Sequence, residues 1–188
     1  LCEDWVADAL TRLNSEIAED PDRLDEVLPH LRTAILSAAT DGLLSANETL
    51  TTILRGDYTH KYVGTEHYVP VRFIDYDNPE NNRFSVSGPL PDSVNPILDE
   101  VTYGTPGNAR RFDVVLWVNG IPLVVIETKS PVKASVSWLN GARDIANVYE
   151  VEKPAFFAPN VLVAATEGRE FHYGAVGQPA ESWLMWGS

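Results

Sequence analysis

The sequence predicts a mixed α/β domain, a central mixed sheet flanked by helices with an N-terminal helical region before it. Three observations lead there. Apolar residues recur at helical spacing between residues 3 and 55. From residue 67 the pattern changes to β-rich runs bounded by Pro, Gly and Asn. One further helical stretch, 136–150, then interrupts the strands. A chain of 188 residues with that order builds layers around one sheet.

Residues 3–13 read as a weak helix. Asp20 followed by Pro21 is a helix start, an acidic N-cap and then proline at the first helical position. Leu24, Val27, Leu28, Leu31, Ile35 and Ala38 continue it on one stripe, and Pro29 should kink or split it. Asp41-Gly42 ends that helix, and Leu43 to Arg55 forms the next, stopped by Gly56. "HYVPVRFIDYD" (67–77) and "RFSVSGPL" (83–90) read as strands around the turn-forming "NPENN". Residues 91–109, rich in Pro, Gly and Asn, read as a loop. Two β-rich runs, 111–118 and 121–129, flank Asn119-Gly120. Trp138, Ala142, Ile145, Ala146 and Tyr149 mark one face of the later helix, and 160–168 with 170–176 form a last strand pair.

No run of about 18 apolar residues suggests a membrane span. The first residues, "LCEDWVADAL", do not resemble a signal peptide, and the start at Leu1 suggests a piece of something longer. A single cysteine, Cys2, excludes an internal disulfide and fits a cytoplasmic protein. The net charge of −13 argues against DNA as a partner unless a cleft is locally basic or other subunits carry the binding.

The stretch "RRFDVVLWVNGIPLVVIETKSP" (110–131) is nearly all apolar, yet holds Asp113, Glu127 and Lys129. Buried charges are expensive unless paired or bound to a metal. Glu127 and Lys129 share a strand face, and Asp113 lies across the hairpin. Carboxylates on adjacent strands suit a divalent cation such as Mg²⁺, with the Thr128 backbone carbonyl as a further ligand. Lys129 would orient or deprotonate a water and offset charge on a phosphate. The structural alternative is a Glu127–Lys129 pair at a sheet edge with Asp113 capping a turn. Register decides between them. A regular two-residue turn at Asn119-Gly120 sets Asp113 opposite Ile126, with Glu127 on the other face. A shared site requires a three-residue loop or an equivalent one-residue bulge.

These residues resemble the PD-(D/E)xK nuclease core, with Phe112-Asp113 in place of Pro-Asp and Glu127-Thr128-Lys129 as the ExK element. From about residue 14 onward the chain is similar to the N-terminal nuclease domain of the restriction (R) subunit of type I restriction–modification enzymes. The similarity rests on "RRFDVV", "VNGIPLVVIETKSPV", "IDYDNPENNRFSV", "SVSWLNGA" and "VLVAATEGREFHYG". The resemblance implies cleavage of double-stranded DNA with Mg²⁺ (or Mn²⁺). It also implies ATP-driven motor domains downstream, and an assembly with methylation and specificity subunits. No P-loop is present, so ATP would act only through motor domains outside this sequence. Family members often carry Gln four or five residues before a Tyr on the helix after ExK. Here Ile145 and Asp144 stand at those distances from Tyr149, and the helix has no Gln.

The expected organisation is therefore a helical region, 1–56, packed on a nuclease core, 57–188. Asp113, Glu127 and Lys129 are the expected catalytic residues. Arg110, Arg111, Lys133 and Tyr149 are candidate DNA contacts, although helical spacing also suits Tyr149 to a core role. Trp183 and Trp186 suggest a docking surface, Glu48 an exposed helix charge, and Asp75 and Asp77 turn formers. The alternative to a nuclease is a catalytically decayed module of the same fold, serving DNA binding or subunit interaction.

Overall fold

The computed structural model describes residues 1–88, 97–98 (backbone only), 101–132 and 135–187. It is an α/β structure. Helices α1 (Glu3–Leu13), α2 (Ser15–Glu19), α3 (Leu24–Leu36) and α4 (Leu43–Thr52) come first. A short ribbon pairs β1 (Thr59–His60) with β2 (Val69–Pro70). The main sheet then takes β3 (Phe84–Ser87), β4 (Ile97–Leu98), β7 (Val114–Val118), β8 (Ile121–Thr128), β9 (Leu162–Thr166), β10 (Phe171–Gly174) and β11 (Leu184–Met185). A second ribbon joins β5 (Val101–Tyr103) to β6 (Arg110–Phe112). Across the main sheet the order is β11-β10-β9-β8-β7-β3-β4. The β8–β9 and β3–β4 pairs are parallel, so the sheet is mixed, as expected.

Between β8 and β9 the chain crosses over the sheet as α5 (Trp138–Asp144), a π-helical turn Ile145–Tyr149, α6 (Glu150–Glu152) and α7 (Pro154–Phe157). Ser137 starts α5 with a reciprocal capping box to Asn140. Phe112, Val115, Trp117, Val125, Ile145 and Phe157 form the core beneath this crossover. A second core, built on Val6, Leu10, Leu31 and Leu50, extends past residue 56 to include Phe73 and Ile121. The helical region is thereby packed on the hairpin end of the sheet. Gly120 lies directly under the start of α1, where a Cβ would meet the Cys2 carbonyl at 2.5 Å.

Four local expectations are corrected. Pro29 does not split α3, which runs unbroken from Leu24 to Leu36; Pro29 and Asp25 are both exposed, so the carbonyl deprived of its donor faces water. Asp20 makes no side-chain cap, and a single 3₁₀ turn, Pro21–Arg23, leads into the helix. Of 67–77 only Val69–Pro70 is strand. There side chains replace a ladder partner: Asn14 bonds both the N–H and the carbonyl of Arg72, and Asn82 accepts from the Asp75 N–H. Within 91–109, β4 and β5 stand where a loop was expected; residues 91–96 and 99–100 of that stretch, and 89–90 of the preceding one, lie outside the described residues.

Candidate active site

The hairpin meets the register requirement through the bulge and not through a three-residue loop. Asn119 and Gly120 both have positive φ, 51° and 81°, and make a two-residue turn with Val118 opposite Ile121. A one-residue bulge follows: Trp117 pairs with Pro122, but Leu116 pairs with Val124, leaving Leu123 extra. Pro122 has no N–H to give to the ladder, which favours the interruption at this point. The Leu123 carbonyl is taken by the Val161 N–H at 2.8 Å and the Pro122 carbonyl by Asn160 Nδ2 at 2.8 Å. Beyond the bulge Val114 pairs with Ile126, so the next residues along the ladder are Asp113 and Glu127. The two carboxylates thus share a face, with Asp113 set opposite Glu127 and not opposite Val125 as a three-residue loop would have it.

Each acidic group is held differently. Asp113, at the break between β6 and β7, accepts on Oδ2 from the Thr128 N–H at 2.9 Å and the Thr128 hydroxyl at 2.8 Å. Glu127 accepts from Lys129 Nζ on Oε1 at 2.7 Å, while its buried Oε2 has no hydrogen-bond partner. Burial above all, then the nearby Asp113 charge, raises the Glu127 carboxyl above its ordinary pKa despite the lysine. Lys129 is bonded twice, to Glu127 Oε1 and to Asp144 Oδ2 at 2.6 Å. Burial opposes its charge, but the bonds to Asp144 and Glu127 outweigh this and hold it well above the usual lysine range. The two carboxylates thus favour the charged form of Lys129.

Tyr149 turns its hydroxyl to Glu127 Oε1 at 3.4 Å. Its pKa is pushed up to about 12, by burial first and then by the charges of Glu127 and Asp144, so it stays a neutral donor. Phe112, fully buried, stacks on Phe156 with centroids 4.4 Å apart and meets the Tyr149 ring edge at 5.7 Å. The Phe at this position therefore anchors both the strand entering Asp113 and the tyrosine facing Glu127. Tyr149 is half-buried, packed on Phe112 while its hydroxyl faces Glu127.

The other candidates separate. Arg110 is engaged by Glu152 through two bonds of 2.6 and 2.8 Å. Arg111 is exposed on β6, and Lys133 lies outside the described residues. Glu48 is exposed on α4. Asp75 forms a turn, accepting from the Asp77 and Asn78 N–H groups and from Asn81. Trp183 corrects the docking expectation: it is 5 % exposed, packed under Gly174, with its indole N–H on the Gln178 carbonyl. Trp186 alone of that pair is exposed, against Tyr173 and Phe171.

Sequence reasoning missed Asp144. On an α-helix, residues five apart diverge. The π turn over Ile145–Tyr149 takes up one extra residue, so Asp144 and Tyr149 both reach the Lys129–Glu127 pair. The five-residue spacing before Tyr149 was the available signal, and only a π turn gives it meaning.

The α/β domain thus brings two carboxylates and a lysine together at the end of paired strands. The sequence comparisons place it in a family. Residues 2–182 match the model for the type I restriction enzyme R protein N terminus. The chain belongs to that family, as the N-terminal domain of an R subunit. It is 26 % identical over 183 residues to the type I restriction enzyme HindI endonuclease subunit of Haemophilus influenzae, a match covering 96 % of this chain and 16 % of that protein. It is also 26 % identical over 119 residues to a provisionally named type I restriction enzyme MjaIXP endonuclease subunit of Methanocaldococcus jannaschii, covering 62 % of this chain and 10 % of that protein. The chain thus spans a small fraction of the relatives it matches. Among the described residues no helix is long and apolar enough to cross a membrane.

Proposed function

We propose that this chain is the endonuclease domain of a type I restriction enzyme R subunit, of the PD-(D/E)xK kind, hydrolysing phosphodiester bonds of double-stranded DNA with Mg²⁺. One observation carries the reading. A bulged hairpin sets Asp113 opposite Glu127, and Glu127 keeps a buried carboxylate oxygen with no partner. An unsatisfied buried acceptor costs about 1–3 kcal/mol, and an incoming ligand at this oxygen would relieve that cost.

The donor set fits a hard cation of modest protein coordination. No group of three or more His, Cys, Asp or Glu side chains is arranged as a metal site among the described residues. Mg²⁺ characteristically takes only one or two carboxylates and fills its other positions with water and phosphate oxygens. Glu127 Oε2 and Asp113 Oδ1, the oxygen not taken by Thr128, would hold it, with the Thr128 carbonyl beside them. When bound, Mg²⁺ supplies a more acidic water and offsets phosphate charge. Lys129 keeps its proton on Nζ and presents positive charge where negative charge grows on the phosphate. Tyr149 donates to Glu127 and fixes its rotamer. The downstream motor, the methylation and specificity subunits, and a cytoplasmic location belong to the same proposal. In that assembly other surfaces would carry most of the DNA affinity that a chain of net charge −13 lacks.

The test is plasmid cleavage by the full R subunit assembled with its partner subunits, with Asp113→Ala and Lys129→Ala beside it. Both variants should hydrolyse ATP and bind DNA as the parent does, and neither should cut. Cleavage at near the parental rate by either would overturn the assignment.

A further inference from the structure

We infer that Asp144 is a positioning residue for Lys129, holding the ammonium in place so that Glu127 is free to serve a ligand. The inference rests on the nuclease reading and extends it to a residue outside the Asp113, Glu127 and Lys129 set.

Lys129 lies one residue past the end of β8, on a long side chain that is costly to order. Two carboxylates order it, Glu127 at 2.7 Å and Asp144 at 2.6 Å. They are not equivalent. Glu127 is almost wholly buried and has an unpartnered oxygen, so it has a second task available. The Asp144 side chain is 42 % exposed, and the metal-type clustering of three acids is absent among the described residues. Asp144 is therefore placed to hold the lysine and not to join Asp113 and Glu127 as a third ligand.

The backbone is built to bring it there. Gly141, one turn earlier, sits so close to the sheet that a Cβ would meet Glu127 Cγ and Ala165 Cβ, each at 3.2 Å. Ile145, next to Asp144 and four residues on from Gly141, is fully buried in the core beneath the crossover. The π turn that follows lets Tyr149 reach Glu127 from the same helix. Helix, lysine and glutamate are thus locked in one arrangement, in which Asp144 and Tyr149 approach the pair from the crossover while Asp113 approaches from the neighbouring strand.

A displaced lysine costs rate and not affinity, and misplacement by about 1 Å costs up to roughly 100-fold. The test measures single-turnover plasmid cleavage by the assembled enzyme at saturating Mg²⁺ and DNA, with ATP hydrolysis and DNA affinity recorded on the same preparations. Asp144→Ala and the near-isosteric Asp144→Asn should each slow cleavage roughly 10- to 100-fold with ATPase and affinity unchanged. Asp144→Glu should recover most of the rate, because a carboxylate can again reach Nζ. Asp144→Asn guards against a folding defect in the alanine variant. Parental cleavage by both Asp144→Ala and Asp144→Asn, while Lys129→Ala is dead, would overturn the role of Asp144 and leave the nuclease reading standing. Loss of rate without recovery in Asp144→Glu, or with loss of ATPase, would overturn it too. Active Lys129→Ala would instead remove the nuclease reading beneath it.

Discussion

Two carboxylates in this molecule are equally buried and oppositely treated. Asp75 is 5 % exposed and Glu127 4 %. Both oxygens of Asp75 are used: Oδ1 by two backbone N–H groups, Oδ2 by Asn81. Its pKa is lowered, by the Asn81 bond first and the Asn78 N–H next. Glu127 has one oxygen on Lys129 and one with nothing, and its pKa is raised, by burial first. Low exposure alone therefore does not set the state of an acid; the depth of its surroundings and the donors aimed at it decide together. The Asp75 network organises structure and reaches the hairpin itself, since Asn82 and Asn119 bond each other at 2.8 Å. The Glu127 cluster is left incomplete, which is what the proposed cation site requires.

The largest expected effect separates the two by function. Glu127→Gln should lower cleavage by the assembled enzyme on the order of 10³-fold, because it removes charge from the proposed cation site. The same variant should melt no lower than the parent at neutral pH, since Lys129 keeps Asp144. Asp75→Asn should do the reverse, lowering the melting temperature and leaving cleavage by the folded fraction intact. The signs follow from the shifts. A raised carboxyl loses stability as pH climbs through its folded value; a lowered one gives stability that disappears as pH falls through its folded value. Thermal melts of both variants across pH 3–8 would show the contrast, and parallel curves would break it.

Asn119→Ala comes next, at about 3–4 kcal/mol of stability. Asn119 accepts from the Arg83 N–H and donates to the Phe73 carbonyl and to Asn82. Three bonds, one buried and two part-buried, at about 1 kcal/mol each, with a left-handed backbone at φ 51° that alanine resists by about 1 kcal/mol, give that figure. Urea unfolding measures it. A loss below about 1 kcal/mol would mean that the Asp75 network does not fix the hairpin.

Glu150 is intermediate, 5 % exposed and accepting from the single Gly177 N–H. Burial pushes it up to about 7. Its native state binds the proton more tightly than the unfolded chain does, so stability falls as pH rises between the unfolded and folded values. Glu150→Gln should melt at the parental temperature near pH 4 and above it at pH 8, by at most about 3 kcal/mol. Equal melting at pH 8 would place Glu150 with the satisfied acids such as Asp75.

How much of this the sequence carried depends on the range of the interaction. Strands 111–118 and 121–129, the helix face with Ala142 and Ile145, and Asp75 as a turn former are local patterns, and they were legible. So was the parity condition on the hairpin, because a two-residue turn and a shared carboxylate face contradict each other without a bulge. The position of the bulge at Leu123 was not legible; it depends on Asn160 and Val161, some forty residues away, taking the Pro122 and Leu123 carbonyls. Residues 67–77 misled for the same reason. Their alternating apolar residues are buried, but Asn14, far upstream, supplies the hydrogen bonds of a strand partner. Asp144 was hidden by assuming α geometry where the helix makes a π turn. Trp183 and Trp186, three apart near the end of the sequence, look alike until the close approach to Gly174 buries one of them.

The smallest expected effect concerns Arg110, an expected DNA contact that meets Glu152 at two points. The pair is half-exposed, with side chains 40 % and 36 % accessible, and such pairs contribute little to stability. Arg110→Ala should therefore leave the melting temperature nearly unchanged. What it does to DNA binding sharpens the contrast between structural and functional charge. An arginine that leaves its glutamate for a phosphate contributes one counterion to the salt dependence of binding, so its removal lowers the slope of log K against log salt by about one. An arginine that stays with Glu152 changes neither slope nor affinity. The geometry favours the second outcome, because a bidentate guanidinium–carboxylate fork must be broken before a phosphate can be taken. Titration of the assembled complex with DNA at several salt concentrations distinguishes the two. A slope reduced by one in Arg110→Ala, with cleavage slowed, would return Arg110 to the DNA-binding surface and make Glu152 a gate on it.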